Sequence, residues 1–151
     1  MKFGDKHCIC ILLILLNLCF IWGNSLLPAA QSQELSDWVM ELLPEFTNEE
    51  VADEDESTLL RKIAHFAEFT VLGLLLSWLF RMLRKHPWYP LPWGVAAAFI
   101  DETIQYFVPD RGPGILDVGI DTCGVLMGML LLQIGYFLMK QKQSKQDGGN
   151  E

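Results

Sequence analysis

The chain reads as an all-α protein: a four-helix transmembrane bundle with both termini cytoplasmic and a short amphipathic helix in its first outer loop. Three observations predict this. Of 151 residues, 51% are hydrophobic, which is too apolar for an ordinary soluble domain of this size. Four stretches, about 8–27, 63–80, 91–107 and 118–139, approach the roughly 20 residues that cross about 30 Å of hydrocarbon. Basic residues sit at alternate connections: Lys2 and Lys6, then Arg81, Arg84 and Lys85, then Lys140, Lys142 and Lys145. Lys and Arg concentrate on cytoplasmic flanks, so four spans place all three groups inside.

The first span is rich in Leu and Ile and ends at Trp22-Gly23-Asn24-Ser25, where Trp22 suits the membrane interface and Asn24 and Ser25 either cap the segment there or face the polar site, where Asn24 can hydrogen-bond. Its apolar run exceeds the roughly 7–15 residues of a secretory signal core, so it reads as a retained span. An acidic outer loop follows over 28–60. Ten acids and no Lys or Arg lie between Glu34 and Glu56. Within the loop, Leu35, Trp38, Val39, Leu42, Leu43 and Phe46 recur at helical spacing, which predicts an amphipathic helix on the outer surface. The run Glu49–Glu56 lacks the glycine and spacing of a calcium loop and reads as a solvated linker.

The second span carries Arg61, His65, Glu68 and Leu72 at 4-3-4 spacing, which is one helical stripe. The third carries Asp101, Glu102 and Gln105. It is short and charged, so a re-entrant segment is its alternative reading. The fourth carries Asp117, Asp121, Gly124 and Gly128 on one stripe, and Gly124-x-x-x-Gly128 lets another helix backbone come close. Residues 141–151 are polar and read as a disordered cytoplasmic tail.

Ionisable groups at a helix centre cost about 2.5–3.5 kcal/mol each on insertion scales, so they need partners or a task. At about 1.5 Å per residue, His65, Glu68, Asp101, Glu102, Gln105 and Asp121 all fall within about 9 Å of the outer end of the bundle. Antiparallel helices bring them to one level. Arg61, Lys62 and Arg111 lie at the mouth, with Asp117 beside them. This predicts an outward-facing charge network, in which the 108–116 turn holds Arg111 over a pocket.

Three readings of that network follow. It binds a phosphate or carboxylate through Arg61, Lys62 and Arg111, with the acids orienting them. Alternatively it is an intramembrane enzyme with His65 as general base and Glu68, Asp101 or Glu102 as orienting acid or metal ligand. Or it is polar glue that sets helix register, in which Glu68 pairs with Arg61 or Lys62. No metal or cofactor motif stands in the sequence: His65 and Glu68 are not part of a His-Glu-x-x-His pattern, and Cys8, Cys10, Cys19 and Cys123 form no Cys-x-x-Cys pair. The formal net charge of −8 disfavours nucleic acid as a partner.

Several motifs coincide with a known pattern. Lys62, His65 and Phe69 match Lys-x-x-His-x-x-x-aromatic. Asp101, Glu102, Gln105, Phe107 and Arg111 match Asp-Glu-x-x-Gln-x-Phe-x-x-x-Arg. Asp117, Asp121, Gly124 and Gly128 match Asp-x-x-x-Asn-x-x-Gly-x-x-x-Gly, with Asp121 where many members carry Asn. Asn24 and Ser25 match the Asn-Ser after the first span. In these residues the chain resembles the VanZ family of bacterial membrane proteins. The resemblance implies a multi-pass protein of the bacterial plasma membrane and cell envelope. It also implies an antibiotic-resistance role like that of the family's namesake, which is associated with teicoplanin resistance. The expected partners are membrane lipid and a cell-wall precursor or glycopeptide.

Overall fold

The computed structural model describes residues 3–28, 54–109, 111 and 114–147. Four α-helices run through them: α1 (Phe3–Ser25), α2 (Glu54–Met82), α3 (Pro90–Tyr106) and α4 (Ile115–Asp147). No strand occurs among the described residues. The amphipathic loop helix expected over 35–46 lies outside them.

Three helices contain segments long and apolar enough to cross a membrane: Asp5–Ser25, Leu59–Met82 and Ile115–Ser144. Helix α3 has 17 residues. At about 1.5 Å per residue it is roughly 25 Å long, slightly less than the hydrocarbon thickness. Two expectations change. Glu54, Asp55 and Glu56, read as linker, form the start of α2. The tail read as disordered continues α4 to Asp147. Its Lys and Gln residues are good helix formers and extend a helix already nucleated by packing.

Local chemistry sets the boundaries. Pro90 and Pro92 open α3, where a missing N–H costs nothing and the fixed φ is helical. Helix α2 ends on Arg84, a non-glycine residue at φ 54°. The Lys85 N–H bonds the Phe80 carbonyl at 2.9 Å and the Arg84 N–H bonds the Arg81 carbonyl at 3.0 Å, which recovers two terminal carbonyls.

Helices α2 and α4 pack along each other, and α1 and α3 flank them. Small residues permit the α2–α4 approach. A Cβ on Gly124 would lie 2.6 Å from the Phe66 carbonyl oxygen. A Cβ on Gly73 would strike the Val125 backbone, and one on Gly128 the Thr70 carbonyl. The central layer buries Cys10, Ile14, Ile21, Phe69, Leu72, Ala98 and Val125.

The distribution of polarity is inverted relative to a soluble protein. Leu12, Leu16 and Phe20 of α1 and Leu130, Phe137 and Leu138 of α4 are more than half exposed. Asp101, Glu102, Gln105 and Asp121 are buried. An apolar exterior around a polar interior is stable in lipid and aggregates in water. The molecule is a membrane protein. At the end opposite the polar cluster, Trp88 and Trp93 are exposed and the Arg81 guanidinium stands 3.1 Å from the Tyr136 ring centroid. Amphipathic rings and basic groups together suit a headgroup boundary.

Candidate functional site

Four helix segments converge at one end of the bundle: the last turn of α1, the first half of α2, the last turns of α3 and the first turns of α4. Ser25 is their junction. Its side chain is fully buried. Its Oγ donates to Asp101 Oδ1 at 2.6 Å and accepts from Gln105 Nε2 at 3.3 Å. Its backbone carbonyl accepts from Arg111 Nη1 at 3.3 Å. Gln105 Nε2 also donates to Asp101 Oδ2 at 2.7 Å, the contact that i, i+4 spacing on one helix provides. Both Asp101 oxygens are therefore tied by neutral donors.

Asn24, beside Ser25, donates from Nδ2 to Glu68 Oε1 at 2.9 Å. Two sequence readings are resolved here. Asn24 and Ser25 are not interface caps but part of the cluster. Glu68 takes Asn24, not Arg61 or Lys62, as its partner. The reason is reach: the C-terminal end of α1 arrives at the Glu68 level, while Lys62 sits one to two turns nearer the mouth. Lys62 Nζ instead approaches Asp117 Oδ1 at 4.0 Å, with side chains 39% and 32% exposed. A pair that open contributes little. Lys62→Ala is expected to change stability by less than about 1 kcal/mol, within the scatter of a thermal melt.

Glu102 is 7% exposed, and its Oε2 accepts the Gly114 N–H at 2.8 Å. Arg111, between α3 and α4, is 9% exposed. Burial, then the nearby Arg61, pull its pKa below the ordinary arginine value, while Asp101 and Glu102 pull the other way. Its Nε is buried and makes no hydrogen bond among the described residues. The same holds for His65 Nδ1, Glu68 Oε2, Glu102 Oε1 and Asp117 Oδ1. Buried polar atoms without partners are rare enough that a concentration of them in one chamber calls for an explanation.

The chamber is lined by Arg61, Lys62, His65, Glu102, Gln105, Asp117, Ile120 and Asp121, with about 10 Å³ of free space. That is room for about one water-sized species. Within it, His65 Nδ1 lies 3.8 Å from Asp101 Oδ2. His65, Asp101 and Asp121 each bring one ligand atom to within 4.8 Å of the other two. Such a set can hold a metal ion. No local motif betrays it, because its members come from three different helices.

Outside the chamber, an open groove of about 490 Å³ runs between α3 and α4. Phe99, Tyr106, Phe107, Ile115 and Val118 line it, and Glu102 lines both groove and chamber. Every sequence-derived candidate lines the chamber or bonds to a residue that does, except two: Arg111, which bonds the Ser25 carbonyl, and Glu68, which joins through Asn24 on the same α1 turn as Ser25. The sequence reading left Asn24 and Ser25 between an interface cap and the site, and counted neither among the site residues. The level at which the first span ends would have placed them there.

A model of the VanZ/LLP1 family matches residues 9–137. No curated protein and no solved structure matches the chain.

Proposed function

The chain belongs to the VanZ/LLP1 family, and from that premise we propose that it is a four-span protein of the bacterial plasma membrane whose polar chamber faces outward and binds the anionic headgroup of an envelope lipid. Both termini are cytoplasmic in this arrangement, because the basic flanks of α2 and α4 then lie inside. The observation that carries the reading is the junction at Glu102. On one side lies a chamber lined by Arg61 and Lys62, with Arg111 behind it on the Ser25 carbonyl. On the other lies an apolar groove open to the bilayer. An amphiphile can lie across the two, with its phosphate or carboxylate at the chamber mouth beside Arg61 and Lys62 and its chain along Phe99, Tyr106 and Val118. A lipid-linked cell-wall precursor has this chemistry, and a glycopeptide carboxylate shares the anionic end of it. Arg111 Nε, buried without a hydrogen-bond partner among the described residues, leaves a donor available for such a ligand.

The test is titration of the purified protein in detergent with a polyprenyl phosphate, against the uncharged polyprenol of equal length. Arg111→Ala is expected to weaken phosphate binding by about 10–100-fold, the equivalent of one charge-assisted hydrogen bond. Arg61→Gln, which disturbs no hydrogen bond described above, provides a second variant with reduced affinity. Equal affinity of both variants and the unaltered protein removes the reading.

A second reading is an enzyme acting on the same lipid with His65 as base. The 3.8 Å approach of His65 to Asp101 favours it. Turnover of the polyprenyl phosphate that vanishes in His65→Ala is its signature.

A further inference from the structure

We infer that the chamber holds one divalent transition-metal ion, Zn²⁺ or Mn²⁺, bound by His65, Asp101 and Asp121. The three donors lie within 4.8 Å of one another. Tetrahedral bonds of about 2.1 Å set ligand atoms about 3.4 Å apart. Rotation of the His65 and Asp121 side chains toward Asp101 has to close the difference.

Independent observations point to the same ion. Glu102, 7% exposed and lining the same chamber, has a buried Oε1 that makes no hydrogen bond among the described residues. His65 Nδ1, 3.8 Å from Asp101 Oδ2, is buried without one as well. The free space of about 10 Å³ suits an ion or a water, not a larger group. The charge is also out of balance. Glu68, Asp101, Glu102, Asp117 and Asp121 face Arg61, Lys62 and Arg111, so five acids meet three bases. One divalent cation neutralises the difference. Arg61 and Lys62 oppose a cation from the mouth, and Arg111 opposes it from the buried side, on the carbonyl of the Ser25 that bonds Asp101.

The donor set selects the class of metal. One imidazole with carboxylates suits Zn²⁺ and Mn²⁺ better than Ca²⁺ or Mg²⁺, which prefer oxygen alone. No thiolate takes part, since Cys10 Sγ is directed to the Leu75 carbonyl and Cys8, Cys19 and Cys123 are exposed. Asp101 is already oriented as a ligand, because Ser25 and Gln105 donate to its two oxygens. Outer donors of this kind hold a coordinating carboxylate in place. The ion deepens the headgroup reading, since a phosphate oxygen entering from the mouth meets it. It rests on that reading only for the ligand and not for the metal itself.

The test uses untagged full-length protein in detergent, stripped with chelator and dialysed against Zn²⁺, Mn²⁺, Mg²⁺ or Ca²⁺. We expect one Zn²⁺ or Mn²⁺ per chain by elemental analysis. Asp121→Asn and His65→Ala are expected to lose affinity by about 100-fold or more, and Ser25→Ala by about 10–100-fold. His86→Ala, at the other end of the bundle, binds as the unaltered protein does. Should the variants not fold, pulsed EPR of Mn²⁺ in the His86→Ala protein reports one coordinated imidazole nitrogen. No uptake, uptake of Mg²⁺ or Ca²⁺ at equal affinity, undiminished uptake by folded Asp121→Asn and His65→Ala, or no nitrogen coupling overturns the inference. Metal uptake without polyprenyl phosphate binding sinks the headgroup reading alone. Phosphate binding without metal uptake sinks this inference alone.

Discussion

Gly128→Ala unfolds at a markedly lower temperature than the unaltered protein, with a loss of about 3 kcal/mol. The added methyl meets the Thr70 carbonyl and comes within 2.6 Å of the Leu74 nitrogen and 3.0 Å of the Gly73 carbonyl carbon. These are backbone atoms of a packed helix, so no rotamer change relieves the clash. Helices α2 and α4 must separate, and every contact between them weakens. Gly135→Ala, two turns further along α4, is the control. A Cβ there meets nothing within 4 Å. Alanine also favours a helix over glycine by about 1 kcal/mol, so this variant is neutral or slightly more stable. Thermal melts of the two in the same detergent decide the matter. Equal melting temperatures would show that the α2–α4 approach is looser than the coordinates have it.

Asp101→Ala is expected to lose about 2–4 kcal/mol, and Asp101→Asn much less. The carboxylate accepts hydrogen bonds from Ser25 Oγ and Gln105 Nε2 in a fully buried setting. Alanine leaves the acceptors missing, at about 1–3 kcal/mol for each unsatisfied buried donor. Asparagine still offers one carbonyl oxygen, and removing a charge from an acid-rich chamber relieves repulsion. Membrane-embedded hydrogen bonds measured singly average about 0.6 kcal/mol, because the unfolded state in lipid finds other partners. A loss confined to that size in Asp101→Ala would mean that the network does not tie α1 to α3. The measurement is denaturant or thermal unfolding of both variants, with helix content as the readout.

Much of this arrangement was legible before any coordinates. The 4-3-4 spacing of Arg61, His65, Glu68 and Leu72, and the four-residue step from Asp101 to Gln105, place side chains on common faces whatever the surroundings. Helical periodicity is a local property. So is the small-residue step from Gly124 to Gly128, whose role against Phe66 and Thr70 was foreseen in kind. Alternating spans then set a common level for groups far apart in the chain. Boundaries were less legible. Glu54–Glu56 and the Lys- and Gln-rich tail looked like linker and disorder, but a helix already held by packing extends through polar residues at small cost.

The sequence by itself determined the helices, their apolar outer faces, the family, and the end of the bundle at which the ionisable groups collect. All of these depend on composition, short-range spacing and chain direction. Only the tertiary structure decided who pairs with whom: Asn24 with Glu68, Ser25 with Asp101, and His65 with Asp101 and Asp121. Those choices turn on the rotation of each helix about its own axis and on a few ångströms of axial shift. Rotation and shift are set by glycine contacts between backbones that are distant in sequence, so no single helix carries the information.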